Sequence, residues 1–276
     1  MPSFKGKWVL VTGASAGIGA CFARQYARHG ANIALVARRR DRLETLATEL
    51  ETSYAVQTRI LVQDMTNPTA PQQIADALTD DGINIDILIN NAGFGLPGHF
   101  VDSDWPKHRD FLELMVTSYA HLTRLFLPGM LDRDYGRIIH VASLAGLTPG
   151  SAGHTLYGAS KGFLVSFAQS LAAECNGTGV YVNALCPGFT YTEFHDVNGT
   201  RSLVNDLPTY VFMDADSVVA GAIDAVERRH VIYVPGIWNK FISWLVKALP
   251  RPWAAELTRR QSARFRKRHS APHQHV

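Results

Sequence analysis

Residues 8–19 read Trp8-Val9-Leu10-Val11-Thr12-Gly13-Ala14-Ser15-Ala16-Gly17-Ile18-Gly19, and a helical pattern over Ala20–His29 follows. A short apolar run thus ends in a turn holding three glycines, and a helix opens straight after it. Gly13 suits a sharp turn at positive φ. Gly17 suits a backbone that must approach a phosphate with no Cβ in the way. Gly19 suits close packing of the new helix on its strand. The free N–H groups and partial positive charge at such a helix start favour a pyrophosphate. The spacing is G-x3-G-x-G rather than the commoner G-x-G-x-x-G, so the weight rests on the motif's place in the first strand–turn–helix unit.

Outward from this unit the alternation continues. Strands are expected near Trp8–Val11, Asn32–Ala37, Gln57–Val62, Asp86–Asn90, Arg137–Ala142, Tyr181–Leu185 and Val231–Val234. Several are unbroken apolar runs, such as IALVA and IIHVA, the pattern of strands covered on both faces in a parallel sheet. Helical periodicity fills Arg40–Glu51, Pro68–Thr79, Lys107–Leu131, Thr155–Cys175 and Ala215–Arg229. Repeated strand–helix alternation predicts an α/β fold with a doubly wound parallel sheet.

Composition agrees with one folded body and a tail. The 276 residues are 46% hydrophobic and 18% charged, ordinary for a globular chain and unlike disorder. Cys21, Cys175 and Cys186 are too few and too scattered for a disulfide scaffold, and no Cys/His spacing suggests a metal. The start MPSFKGKWVLV lacks a signal-peptide apolar stretch, and no run approaches a membrane span. A cytoplasmic protein is expected, and the Asn-Gly-Thr sequons at Asn176 and Asn198 then carry no meaning. The net charge of +3 is uneven. Residues 237–276 hold nine Lys/Arg against Glu256, so that stretch carries +8 and the rest of the chain −5. We therefore divide the chain into a domain over 1–236 and an amphipathic, basic extension over 237–276.

The second strand decides the cofactor. A carboxylate at its end would favour the ribose 2′-hydroxyl of NAD. Here Ala37 leads into Arg38-Arg39-Arg40, with no acid in the way of a 2′-phosphate. Arg38 could pair with that phosphate through two N–H groups, and the Ser15 hydroxyl could add a donor. Positive charge at a helix start is unfavourable without an anion, so NADP(H) is favoured over NAD(H).

Three further segments carry chemistry. Asn90-Asn91-Ala92-Gly93 follows the fourth strand, Ser143 the fifth, and Tyr157-Gly158-Ala159-Ser160-Lys161 opens the next helix. Tyr157 and Lys161 stand one helical turn apart on a shared face. An ammonium beside the phenol, with the positive ring of an oxidised nicotinamide, would lower the phenol's pKa from its usual ~10 toward neutrality. Ser143 could hydrogen-bond the same alcohol oxygen.

Taken together, TGASAGIG (12–19), NNAG (90–93), Ser143, YGASK (157–161) and Pro187-Gly188 resemble the short-chain dehydrogenase/reductase family in order and spacing, over about residues 5–236. The resemblance implies a Rossmann fold with a seven-stranded sheet and a nicotinamide cofactor. It makes Tyr157 the acid/base, Lys161 the group that lowers its pKa and holds the nicotinamide ribose, and Ser143 the group that orients the carbonyl. Gly13, Ser15, Gly17, Ile18 and Gly19 would wrap the pyrophosphate, and Asp64 would meet the adenine. Asn91, Ala92 and Gly93 would support the central strands. Pro187, Gly188 and Thr192 would line the carboxamide side.

One departure is evident. Counting back from Leu127-Pro128-Gly129-Met130, the family's fourth catalytic residue, an Asn, falls on Met115, whose thioether cannot donate a hydrogen bond. Thr117 and Ser118 lie close in sequence but on other faces. The loop between Ser143 and Tyr157 is also one residue longer than usual.

Segments Phe94–Phe100, Leu144–Leu156 and Phe189–Met213 should hold the substrate. They supply Phe94, Leu96, Phe100, Leu144, Leu147, Leu156, Phe189, Phe194, Tyr210 and Phe212, about half of which we expect to be packing residues. A hydrophobic ketone or alcohol, fatty-acyl or steroid-like, suits that lining. His154 and His195 read as peripheral, since Tyr157 already fills the acid/base role. In the extension, Trp238, Phe241, Ile242, Trp244, Leu245 and Leu249 form an apolar face that Pro250 stops, followed by basic residues from Arg259 to Arg268. Packing over the substrate mouth or on a second subunit is expected, with an interfacial helix on an anionic membrane as the alternative.

The leading expectation is an NADP(H)-dependent carbonyl reductase or alcohol dehydrogenase working by hydride transfer. It would be a homodimer or homotetramer without a nucleic-acid partner. The alternatives are an NAD-dependent alcohol dehydrogenase and a catalytically weak nucleotide-binding sensor recruited through the tail.

Overall fold

The apolar runs become seven parallel strands: β1 (Trp8–Thr12), β2 (Asn32–Ala37), β3 (Thr58–Val62), β4 (Ile85–Asn90), β5 (Gly136–Val141), β6 (Val180–Leu185) and β7 (Ile232–Tyr233). This computed structural model describes residues 3–96, 98–153, 155–191, 212–250, 252–256 and 258. Phe194, His154, His195, Tyr210, Thr192 and the basic run from Arg259 to Arg268 therefore lie outside the described residues.

The strand order is β3-β2-β1-β4-β5-β6-β7. It reverses between β1 and β4, which opens a crevice at their C-terminal ends, the usual ligand position in such sheets. Helices α1 (Gly17–Arg28), α2 (Arg40–Tyr54), α3 (Ala70–Asp80), α4 (Trp105–Leu112), α5 (Ser118–Asp132), α6 (Thr155–Glu174) and α7 (Ala215–Glu227) cover both faces. Phe22, Tyr26, Leu43 and Ile223 fill one core layer, and Ile74, Leu78, Phe111 and Leu164 the other. Each such fully buried side chain contributes about 1.5–3 kcal/mol of transfer free energy. At the N-terminal edge of the sheet, Arg137 makes paired hydrogen bonds of 2.8 and 3.0 Å to Glu227 and stacks on Tyr135 and Tyr181.

Two elements differ from expectation. The single helix expected over Lys107–Leu131 is broken: α4 and α5 are joined by a π-turn at Glu113–Thr117, where the Ser118 N–H reaches back five residues to the Glu113 carbonyl. In the extension, α8 (Ile237–Ala248) forms as expected, but its buried residues are Asn239 and Ser243. Trp238, Phe241 and Trp244 are 66%, 47% and 63% exposed, so among the described residues they are not buried on the body of the protein.

Candidate active site

The C-terminal ends of β1, β4, β5 and β6 bring the singled-out residues to one edge of the sheet. Gly13 lies at φ +66°, and a Cβ there would stand 2.8 Å from Asn91 Nδ2. A Cβ on Gly19 would collide with the Gly13 carbonyl. These two positions admit only glycine, and the turn is drawn tightly onto the NNAG segment. Asn91 Nδ2 donates to the Thr12 carbonyl at 2.8 Å, and the Thr12 hydroxyl accepts from the backbone N–H groups of Asn91 and Ala92 at 2.9 and 3.0 Å. Asn91 and Ala92 thus rivet β4 to β1. The start of α1 has no side-chain cap and no acid in its first turn. Its N–H groups, next to half-buried Ser15 and Ile18, form a donor set suited to an anionic pyrophosphate.

The basic run resolves into distinct positions. Arg39 places Nε and Nη2 3.3 and 3.0 Å from Ser15 Oγ, which binds it to the glycine turn. Arg38 is exposed and pairs with Asp64 at 3.7 Å. The other Asp64 oxygen accepts from the Thr66 N–H and hydroxyl at 3.0 and 2.9 Å. Arg39 is the member of the run that meets the glycine turn, and the sequence did not single it out, because nothing in Arg38-Arg39-Arg40 tells the three apart.

Across the crevice, Ser143 sits in extended backbone after β5, capping the short turn Leu144–Gly146. The Leu144 N–H donates to the Pro187 carbonyl at 2.9 Å, which holds the Ser143 loop beside the end of β6. Ser143 stands beside the Tyr157 side chain and acts to lower its phenol pKa. Lys161, one turn on in α6, is 4% exposed and donates from Nζ to the Val141 carbonyl at 2.6 Å. Its ammonium lies 5.7 Å from the Tyr157 ring centre. Ser143, Tyr157 and Lys161 are therefore one cluster.

Its electrostatics differ from the expected pattern. Among the protein's own groups, burial raises the Tyr157 phenol above its usual range, Ser143 acts the other way, and no lowering by Lys161 emerges. Burial instead lowers Lys161 to about 7, since the charged form loses its hydration. Beneath the cluster a second polar group, not foreseen, is fully enclosed. Asn90 Nδ2 lies 3.2 Å from both Thr123 Oγ1 and His140 Nδ1, and Tyr119 donates to the Ala92 carbonyl at 2.8 Å. Burial, and then the Lys161 charge, lowers His140 to about 3, so this imidazole is neutral.

Met115 stands in the π-turn, fully buried, and a Cβ added at Gly93 would come within 3.0 Å of its Sδ. Gly188 is closed off on its other side by Asn239 of α8. Phe94 meets Phe111 edge-on at 5.4 Å between ring centres, and Phe94, Leu96, Leu147 and Leu156 pack at the margin of the core beside Tyr157. Among the described residues no group of acids, histidines and cysteines could hold a metal.

The family profile described as short chain dehydrogenase matches residues 7–201. The chain belongs to the short-chain dehydrogenases. This dehydrogenase is similar to a very-long-chain 3-oxoacyl-CoA reductase of Anas platyrhynchos, at 31% identity over 271 residues, 95% of this chain and 82% of the relative. A solved short-chain dehydrogenase from Sphingobium yanoikuyae in complex with NADPH is 31% identical, with a TM-score of 0.77 over 98% of this chain and 99% of its own. A short-chain dehydrogenase/reductase from Burkholderia phymatum in complex with NAD is 26% identical, with a TM-score of 0.78 over 94% and 97%. The chain is thus a nicotinamide-dependent oxidoreductase of the CH–OH/C=O type. Similar structures hold either cofactor, so the fold alone does not select one.

Proposed function

We propose that this dehydrogenase uses NADP(H) to interconvert a hydrophobic ketone and its alcohol, with Tyr157 as the acid/base. The observation that carries this reading is the clustering of Ser143, Tyr157 and buried Lys161, with the Lys161 ammonium 5.7 Å from the Tyr157 ring centre. The glycine turn, the start of α1, Asn91 and the Pro187-Gly188 segment would hold the cofactor, and the space kept by Gly13 and the uncapped helix start fit it. When bound, the nicotinamide accepts or supplies the hydride. Ser143 then orients the substrate oxygen, and Tyr157 Oη gives it a proton in reduction or takes one in oxidation. Lys161, lowered by burial to about 7, is held by the Val141 carbonyl beside the Tyr157 ring, where it would bind the nicotinamide ribose.

Preference for NADP(H) is supported by the Ser15–Arg39 contact, by Arg38 alongside it and by the acid-free end of β2. The Arg38–Asp64 pair is exposed at both ends and worth at most about 1 kcal/mol, so a phosphate can compete for Arg38. The apolar margin at Phe94, Leu96, Leu147 and Leu156, with the name of the Anas platyrhynchos relative, supports a fatty-acyl-like carbonyl.

Titration with both cofactors, followed by turnover on ketones and 3-oxoacyl thioesters of increasing chain length, tests this. We expect NADPH to bind at least about tenfold tighter than NADH, the scale of one charged hydrogen bond, and kcat/KM to rise with chain length. Equal cofactor affinities would remove the NADP assignment. Rates indifferent to apolar length would remove the hydrophobic substrate.

A further inference from the structure

Among the described residues, the outer face of α8 is largely uncovered. Ile237, Trp238, Phe241 and Trp244 are 86%, 66%, 47% and 63% exposed. The three rings form one row, with centres 6.2 and 6.1 Å apart. Trp253, just beyond the helix, is 68% exposed. Single exposed apolar residues need no explanation, but a row of this size does.

Charge indicates what covers the row. Lys240 and Lys247 lie on the same helix, which contains no acid. Between α7, β7 and α8 lies a cavity of about 590 Å³, walled by Arg228, His230, Lys240, Lys247, Tyr233 and Trp244. Its Asp224 is already paired with Arg228 at 2.9 Å. Residues 259–276 add six Lys/Arg and no acid. A symmetric contact between two copies through α8 would set Lys240 and Lys247 against basic counterparts, with no carboxylate on the helix to pair them. An anionic lipid surface satisfies both halves of the pattern. Trp and Phe rings are favoured at headgroup depth, and the cations meet phosphates.

We propose that α8 docks this enzyme on an anionic phospholipid surface. The row from Ile237 to Trp244 enters the headgroup–acyl boundary, and the basic cavity beneath Trp244 receives a headgroup phosphate. Among the described residues no helix is long and apolar enough to cross a membrane. The inner side of α8 ties this surface to the active site. Asn239 donates to the Pro235 carbonyl at 2.9 Å and packs on Gly188, at the same end of the sheet as the cofactor turn. A lipophilic substrate dissolved in the leaflet would then lie beside the catalytic edge.

Flotation of the full-length protein with phosphatidylcholine vesicles, with and without phosphatidylglycerol, tests the docking independently of turnover. We expect co-flotation and a blue shift of tryptophan emission with the anionic vesicles only, weakened near 1 M salt where charges are screened within ~3 Å. A variant carrying Trp238→Ser, Phe241→Ser and Trp244→Ser should lose at least tenfold in vesicle affinity. Lys240→Glu with Lys247→Glu should do the same, and both variants should keep NADPH-dependent turnover. Absence of wild-type flotation, or equal flotation of wild type and both variants, would overturn the proposal. So would a triple variant that light scattering shows converted from dimer to monomer, since the face would then belong to a second copy.

Discussion

Arg38 and Arg39 leave the same strand end, yet Arg39 is the one that reaches Ser15 and the glycine turn. A 2′-phosphate placed there would take charged hydrogen bonds from Arg39, each worth about 1.5–3 kcal/mol. Arg39→Leu should therefore weaken NADPH by roughly ten- to a hundredfold in a fluorescence titration and leave NADH nearly unchanged. Equal losses would show that Arg39 only supports the turn. At this scale the sequence was legible for residues whose type is demanded by chemistry or space. Gly13, Gly19, Asn91, Ser143, Tyr157 and Lys161 all fall where the motifs put them. It was not legible where neighbours share a residue type, as in the arginine run. The enclosed Asn90–His140 contact was hidden too, because burial of a polar group depends on which face of the sheet its strand turns inward.

Among elements, the strands were the most legible, since residues covered on both faces must be apolar throughout. β2 carries the expected bounds, and β4 and β5 are buried along their full length. The break between α4 and α5 was not legible, because one extra residue in a turn leaves the apolar pattern of residues 107–131 almost unaltered. That π-turn carries Met115 into the core against Gly93, at the position where the resemblance places an Asn. If proton supply to Lys161 is limited there, Met115→Asn should raise turnover below and above pH 7 and broaden the pH–rate profile. An unchanged profile would mean that the path runs elsewhere. In α8 the helix was legible and its orientation was not. Asn239, bonded to Pro235 and packed on Gly188, turns the polar side inward and the rings outward.

At the scale of the whole molecule, the two ends of the sheet divide the work. The C-terminal end holds the crevice and the Ser143–Tyr157–Lys161 cluster. The N-terminal end is clamped by Arg137, which joins β5 to Glu227 of α7 and lies between Tyr135 and Tyr181. Both partners of that ion pair are largely buried, and losing one strands the other charge away from water. Arg137→Met should lower unfolding stability by about 3–5 kcal/mol in a denaturant titration, while kcat at low temperature stays close to wild type. A loss of kcat at unchanged stability would mean that the two ends are coupled rather than separate.

The assignment of Tyr157 as the proton-transfer group is tested most directly by Tyr157→Phe, which keeps the ring and removes the hydroxyl. NADPH titration and steady-state reduction of a lipophilic ketone would be measured on both proteins. We expect unchanged NADPH affinity with turnover reduced by roughly 10²–10⁴-fold. Turnover near that of the wild type, with the cofactor still bound, would contradict the assignment.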